Sequence, residues 1–127
     1  MRVYVATKFE DSAVASYWLD RLRKQGIDIS HDWTAVEEID DLVNQPITRR
    51  RYAEDDFRGV ACADLVWVLA PKEGGRGCWT EMGFAIALQI PVFVSGEGVG
   101  KNLFDAFASC SVTHEQAFAD ILKIAGR

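Results

Sequence analysis

The sequence predicts an α/β protein with a doubly wound, mainly parallel sheet. The first observation is a continuous apolar segment, residues 63–71, of the kind that forms a strand buried on both faces. The second is the alternation of short β-branched segments with longer segments of helical periodicity. The third is a glycine-rich loop, residues 74–77, which leads from the apolar strand into an apolar helix.

The first half of the chain supplies one strand–helix–strand unit. Residues 2–7 are β-branched and aromatic, which predicts a central strand. A helix follows, capped by Asp11 or Ser12 and ended by Gly26, because its apolar positions recur at helical spacing between them. A second strand is predicted at residues 27–31. The two strands of such a unit lie parallel.

The second half continues the alternation and closes the domain. Thr113 is predicted to cap the last helix, with Gln116 at its third position. An acidic run at residues 37–41 is interpreted as a solvated helix face, because neither His nor Cys accompanies it. We therefore predict one flavodoxin/Rossmann-like domain over residues 1–127, with about five strands. The remaining predicted elements are helix 49–62, strand 65–69, helix 79–89, strand 90–95, strand 110–112 and helix 113–125.

Composition excludes several classes of protein. The 127 residues are 49% hydrophobic and 26% charged, which is typical of a soluble globular domain. A net charge of −5 argues against a nucleic-acid binder. No apolar run reaches the roughly 18 residues of a membrane span. The polar N-terminal segment is unlike a signal peptide and the three cysteines are scattered, so we expect a cytoplasmic protein.

Glu81 is the lead candidate for chemistry. It follows the glycine loop, and the pattern places it in the first turn of the predicted helix. There the helix dipole favours an ionised carboxylate by about 0.3–1 kcal/mol, which suits a nucleophile or a base. The alternative is an acid that only decorates a helix N-terminus. Gly74, Gly75 and Gly77 favour a ligand site, because they let the backbone approach a ligand closely.

Polar and aromatic residues follow three predicted strands. Ligands of an open parallel sheet bind at the carboxyl ends of its strands, so we expect these residues to line one pocket. They are Thr7, Lys8 and Phe9 after the first strand, Asp32 and Trp33 after the second, and Gly75, Arg76 and Gly77 after the third.

Five further side chains are weighed individually. Asp56 lies within a predicted helix and Asp64 precedes the third strand, where a bond to local backbone is the alternative to a role in the site. Tyr4 is on an inner strand, so its hydroxyl needs a partner, and a neighbouring carboxylate is a natural one. His31 and Cys78 are interpreted as structural, the latter because no histidine partner is recognisable.

Four segments together resemble the nucleoside 2-deoxyribosyltransferase family, especially its short phage and bacterial members. They are VYVATKFED, GIDISHDWT, DFRGVACADLVWVLAP and RGCWTEMGFAIALQIPVFV, and their order and spacing carry the resemblance over most of the chain. The resemblance implies cleavage of the N-glycosidic bond of a deoxynucleoside or deoxynucleoside 5′-monophosphate through a covalent deoxyribosyl–glutamate intermediate. The sugar then passes to another base, or to water as in the related N-hydrolases. Neither a metal nor a cofactor is implied.

The resemblance also assigns roles by position. Glu81 matches the nucleophile, Asp56 the aspartate that binds sugar and protonates the leaving base, and Tyr4 a tyrosine that hydrogen-bonds the nucleophile. Transferases of the family commonly carry an aspartate six residues before the nucleophile, where this chain has Gly75. That departure weakens the case for transfer between free nucleosides, and hydrolase and transferase both stay open.

The loop cations bear on the choice of substrate. Lys8 and Arg76 lie where they could meet a 5′-phosphate, which favours a deoxynucleotide; solvated surface cations are the alternative. The family implies a homo-oligomer in which a neighbour completes each pocket, and Phe84 and Phe104 are candidate interface residues. We expect a small-molecule partner and neither nucleic acid nor membrane.

Two other functions stay open. The segment from Cys78 to Glu81 also resembles the WCxxE region of TIR domains, in which a glutamate can cleave the nicotinamide–ribose bond of NAD or the domain acts as an adaptor. A nucleotide-binding module that kept the pocket and lost turnover is the third possibility.

Overall fold

The structure is a computed structural model that describes residues 1–36 and 41–127. Five strands form one parallel sheet in the order β2-β1-β3-β4-β5, and its order changes direction between β1 and β3. This confirms the predicted flavodoxin-like α/β fold. The strands are β1 (Arg2–Ala6), β2 (Asp28–Ile29), β3 (Leu65–Leu69), β4 (Val92–Ser95) and β5 (Ser109–Ser111); the helices are α1 (Ser12–Lys24), α2 (Pro46–Ala61), α3 (Arg76–Ala87) and α4 (His114–Ile124).

Two helices begin earlier than the sequence pattern predicts. Helix α2 begins at Pro46, because proline has the backbone angle of a first helical turn and needs no N–H bond there. Helix α3 begins at Arg76 rather than at residue 79, directly after Gly75, whose φ of 85° ends the loop. The predicted acidic face lies outside the described residues, apart from Asp41. No helix within the described ranges is long and apolar enough to cross a bilayer.

The core lies on both faces of the central strands. All five residues of β3 are buried, as are the last four of β1, which agrees with the apolar character of these segments. Trp67 and Tyr4 are the largest side chains that are fully buried. The Trp67 indole N–H donates to Ser95 Oγ at 2.9 Å, and the Ser95 hydroxyl also forms a hydrogen bond with His114 Nδ1 at 2.7 Å.

Replacing Ser95 with alanine is expected to lower the free energy of unfolding by about 1–3 kcal/mol. The substitution leaves the Trp67 indole N–H without its acceptor in a site where Ser95 is fully buried. Urea unfolding measures the change. Ser109→Ala, on the exposed end of β5, is the matched control and should change stability little. Equal effects of the two substitutions would contradict the expectation.

Candidate active site

A pocket of about 430 Å³ opens where the strand order changes direction, at the carboxyl ends of β1 and β3. Its size suits a small molecule, and its place in the sheet is the usual ligand site of such folds. Three strand-end segments and two helices contribute to its wall. The lining residues are Thr7, Lys8, Phe9, Glu10, Trp33, Asp56, Gly74, Gly75, Arg76, Gly77, Cys78 and Glu81.

Tyr4 and Glu81 are joined by a short hydrogen bond. The Tyr4 hydroxyl, on buried strand β1, donates to Glu81 Oε2. Burial raises the pKa of Tyr4 far above its ordinary range, and the negative charges of Glu81 and Asp56 raise it further. Tyr4 therefore stays protonated, so it is a fixed donor that orients one oxygen of Glu81.

Glu81 lies in the second turn of α3, which corrects its predicted place in the first turn. Because the helix begins at Arg76, Glu81 is its sixth residue, too far along for the free N–H groups of the helix end. Burial raises the pKa of Glu81 from 4.5 to about 7, the bond from Tyr4 opposes the rise, and the charge of Asp56 adds to it. Glu81 thus exchanges its proton near neutrality.

Asp56 supplies a second carboxyl group to the pocket from helix α2. Burial raises its pKa, the nearby His31 opposes the rise, and the charge of Asp55 adds to it. His31 Nε2 lies 3.4 Å from Asp56 Oδ1. The sequence predicts a structural role for His31 and does not reveal this contact. The sequence feature that points to this contact is the position of His31 just after the second strand, near the predicted pocket.

Gly59 lets helix α2 approach the strands closely enough to bring Asp56 to the pocket. A Cβ atom at Gly59 would lie 2.6 Å from the Cβ of His31 and 2.9 Å from Cε2 of Tyr4. Real side chains do not tolerate such distances between carbon atoms. The missing side chain therefore allows Tyr4, His31 and Asp56 to share one small region.

The conformation of the glycine loop explains why Gly75, and not an aspartate, lies six residues before Glu81. Gly74 and Gly75 have φ angles of 73° and 85°, which L-residues with side chains rarely adopt. A Cβ at Gly75 would also lie 2.7 Å from Pro71 Cγ and 2.9 Å from Cys78 Sγ. An aspartate at this position therefore does not fit the loop as it is built here.

Cys78 is not equipped to act as a nucleophile. Its buried thiol donates to the carbonyl of Gly75 at 3.1 Å. Burial raises its pKa to about 12, and the charge of Glu81 contributes to the rise. The thiol is therefore neutral at physiological pH, whereas the reactive form of cysteine is the thiolate.

Asp32 and Asp64 lie outside the pocket, which corrects their predicted placement. Asp32 pairs with Arg23 at 2.6 Å and accepts from the backbone N–H of Thr34 at 3.0 Å. Burial disfavours the charge of Asp32, but these hydrogen bonds outweigh burial and lower its pKa. Asp64 accepts from the backbone N–H of Arg2 at 2.8 Å, at the amino ends of the strands and thus at the opposite edge of the sheet.

Two aromatic rings form the wall nearest β2. Trp33 is buried, its indole N–H donates to the carbonyl of Val5 at 2.7 Å, and its ring centroid lies 6.2 Å from that of Phe9. Phe9 is 42% exposed, so a ligand has a free ring surface to contact. Thr7 takes no such part, because its hydroxyl donates to the carbonyl of Leu69 at 2.8 Å.

Comparison with known proteins places this architecture among solved structures. No protein-family model matches the sequence, and no curated protein matches it either. A CMP N-glycosidase from Clostridium botulinum, BcmB, is 11% identical with a TM-score of 0.64, over 95% of this chain and 98% of its own. A 2-deoxyribosyltransferase from Bacillus psychrosaccharolyticus is 16% identical with a TM-score of 0.66, over 95% and 90%.

A conserved protein from Enterococcus faecalis V583 is 16% identical with a TM-score of 0.61, over 98% of both chains. The chain shares the fold of these three proteins. At such low identity the likeness establishes the fold alone, so any statement about activity depends on the geometry of the site.

Proposed function

We propose that the protein cleaves the N-glycosidic bond of a 2′-deoxynucleoside or its 5′-monophosphate. The observation that carries the proposal is the arrangement of Tyr4, Glu81 and Asp56 at one pocket: an oriented carboxylate and a second carboxyl group line the same cavity. Two carboxyl groups in one site are the usual equipment for glycosidic cleavage with a covalent intermediate. The names of two structural neighbours, an N-glycosidase and a 2-deoxyribosyltransferase, agree with it.

The reaction proceeds by two displacements. Glu81 attacks C1′ of the sugar, the C1′–N bond breaks, and Asp56 gives its proton to the departing base nitrogen. Water or a second base then attacks C1′, Asp56 takes the proton of this acceptor, and Glu81 is released. Tyr4 holds the nucleophile in position, and His31 contacts the carboxyl group of Asp56 at 3.4 Å.

The other side of the pocket suits a 5′-phosphate. Lys8 and Arg76 line it together with the glycine loop that opens α3, where free backbone N–H groups favour an anion. Lys8 Nζ lies 3.4 Å from the carbonyl of Glu73, so the ammonium group is already held over the loop. These features favour a deoxynucleoside 5′-monophosphate over the free nucleoside.

The test is a panel of deoxynucleosides, their 5′-monophosphates, ribonucleotides and NAD. Free base is measured by chromatography, and intact protein mass detects a sugar adduct on Glu81. A second base that acquires deoxyribose identifies a transferase, whereas release of sugar alone identifies a hydrolase. Nicotinamide as the sole product would replace the proposal with NAD cleavage. Binding without any base release would leave a silent nucleotide-binding module.

The predicted homo-oligomer and the cytoplasmic location stay predictions. Phe84 and Phe104 are 36% and 56% exposed, and Phe84 forms an edge-to-face pair with Phe57 at 5.0 Å. Exposed aromatic residues of this kind are common at protein interfaces.

Two kinds of substrate should show opposite pH dependences of kcat/KM for glycosidic cleavage. Burial and the charge of Asp56 raise the pKa of Glu81 to about 7, so below that pH the two carboxyl groups hold at least one proton between them. With natural deoxynucleotides, kcat/KM should fall as the pH rises through about 7, because no proton is left for the leaving base. With a 4-nitrophenyl deoxyriboside, whose leaving group needs no proton, it should rise, because Glu81 becomes fully ionised. Slopes of the same sign would contradict these roles.

A further inference from the structure

The aromatic wall of the pocket carries an acidic side chain that the proposed mechanism does not use. Glu10 follows Phe9 directly in the short 3-10 helix Phe9–Asp11, and it lines the pocket together with Phe9 and Trp33. The side-chain N–H of Trp33 donates to the carbonyl of Val5, so it is not available to a ligand. The two rings therefore offer a ligand only apolar and stacking contacts, and Glu10 is the polar group beside them.

The Glu10 carboxylate is available to a ligand. Among the residues that the structure describes, none forms a hydrogen bond or an ion pair with it. Lys8, two residues earlier, directs its ammonium group to the carbonyl of Glu73 on the glycine loop. Glu10 is also exposed, so both oxygens of its carboxylate are accessible as hydrogen-bond acceptors.

The position of Asp56 shows which part of a substrate meets this wall. Strand β2 lies on the side of β1 opposite to β3. Trp33 follows β2, and Asp56 contacts His31, which also follows β2. The glycine loop follows β3 on the other side. A base that receives its proton from Asp56 thus lies on the β2 side, against Phe9 and Trp33, while the sugar extends towards the glycine loop.

We propose that Glu10 selects bases with an exocyclic amino group, namely 4-aminopyrimidines and 6-aminopurines. The inference rests on the proposed function of the pocket. A carboxylate accepts a hydrogen bond from the amino group of cytosine or adenine. Uracil and hypoxanthine present a carbonyl oxygen at the same position, and this oxygen cannot donate to the carboxylate and repels its charge. Stacking on Phe9 and Trp33 is common to all bases and adds no such preference.

Two matched substrate pairs test the selection. We expect kcat/KM to be about 10–100-fold higher for the 5′-monophosphate of deoxycytidine than for that of deoxyuridine, and likewise for deoxyadenosine over deoxyinosine. Glu10→Gln replaces the carboxylate with an amide that both donates and accepts, so each preference should shrink to about threefold or less. Glu97→Gln makes the same charge change at an exposed residue outside the pocket and should leave both preferences intact.

Equal rates within each wild-type pair, or a preference that survives Glu10→Gln, would overturn the role of Glu10. Measurements of nucleotide binding separate a failure of this role of Glu10 from a failure of the proposed function. Dissociation constants of the four nucleotides, measured by calorimetry with Glu81→Gln, report the same selection without turnover. A preference that disappears in the Glu10→Gln, Glu81→Gln double variant supports the role, even if the wild type releases no base. Equal affinities in Glu81→Gln would exclude it.

Discussion

Glu81→Gln is expected to lower the rate of base release by at least about 10³-fold. An amide oxygen is a poor nucleophile at C1′, so the covalent sugar–enzyme intermediate cannot form. The loss should be the same for natural nucleotides and for a 4-nitrophenyl deoxyriboside, because both substrates need the nucleophile. Single-turnover base release and intact protein mass measure the two consequences. Activity within tenfold of the wild type would exclude Glu81 as the nucleophile.

The stability of Glu81→Gln, compared with that of the wild type, shows whether the variant loses activity without losing its fold. Burial raises the pKa of Glu81 from 4.5 to about 7, so the folded protein binds this proton more tightly than the unfolded chain. The resulting stabilisation is complete below pH 4.5 and is lost as the pH rises through 7. Glutamine carries no charge to bury, and its side-chain oxygen still accepts from Tyr4. Glu81→Gln should therefore be more stable than the wild type at pH 8, by up to about 3 kcal/mol.

The fold was predictable because its central strands β1 and β3 are continuous apolar segments, without alternating polar residues. Strand β3 was predicted with the observed bounds, since a short, valine-rich apolar run between Asp64 and Pro71 is typical of a strand covered on both faces. Edge strand β2 has only two paired residues, against five predicted, because a strand with one neighbour has fewer constraints on where pairing ends. The early start of α3 depends on the backbone of Gly75, which composition alone does not define.

Residues of the candidate site were predictable where their position at the end of a strand brings them to the pocket. They were not predictable where tertiary contacts determine their placement. Phe9 and the glycine loop reach the pocket because parallel strands end at one edge of the sheet. Asp32 also follows a strand, but Arg23 and Thr34 bind its carboxylate. The contact of His31 with Asp56 joins two elements 25 positions apart, and the sequence carries no periodicity that reports it.

Asp56→Asn is expected to slow base release from natural deoxynucleotides by about 10²–10⁴-fold, the usual contribution of a positioned general acid. Asparagine has nearly the same shape and still lies beside His31, but it has no carboxyl proton to give. Release of 4-nitrophenol from its deoxyriboside should stay within about tenfold of the wild type, because Glu81 is intact and the leaving group departs as an anion. The two substrates, assayed on one variant, thus separate the acid from the nucleophile.

The pH profile of Asp56→Asn adds a second test of the same assignment. Removing Asp56 removes one of the charges that raise the pKa of Glu81, so the nucleophile should ionise at a lower pH than in the wild type. Activity towards both substrates should then rise with pH to a plateau, and the decline near pH 7 with natural nucleotides should vanish. Glu54→Gln is the matched control, because Glu54 is an exposed carboxylate on the same helix and does not line the pocket. A decline that persists in Asp56→Asn would assign the acid to another group.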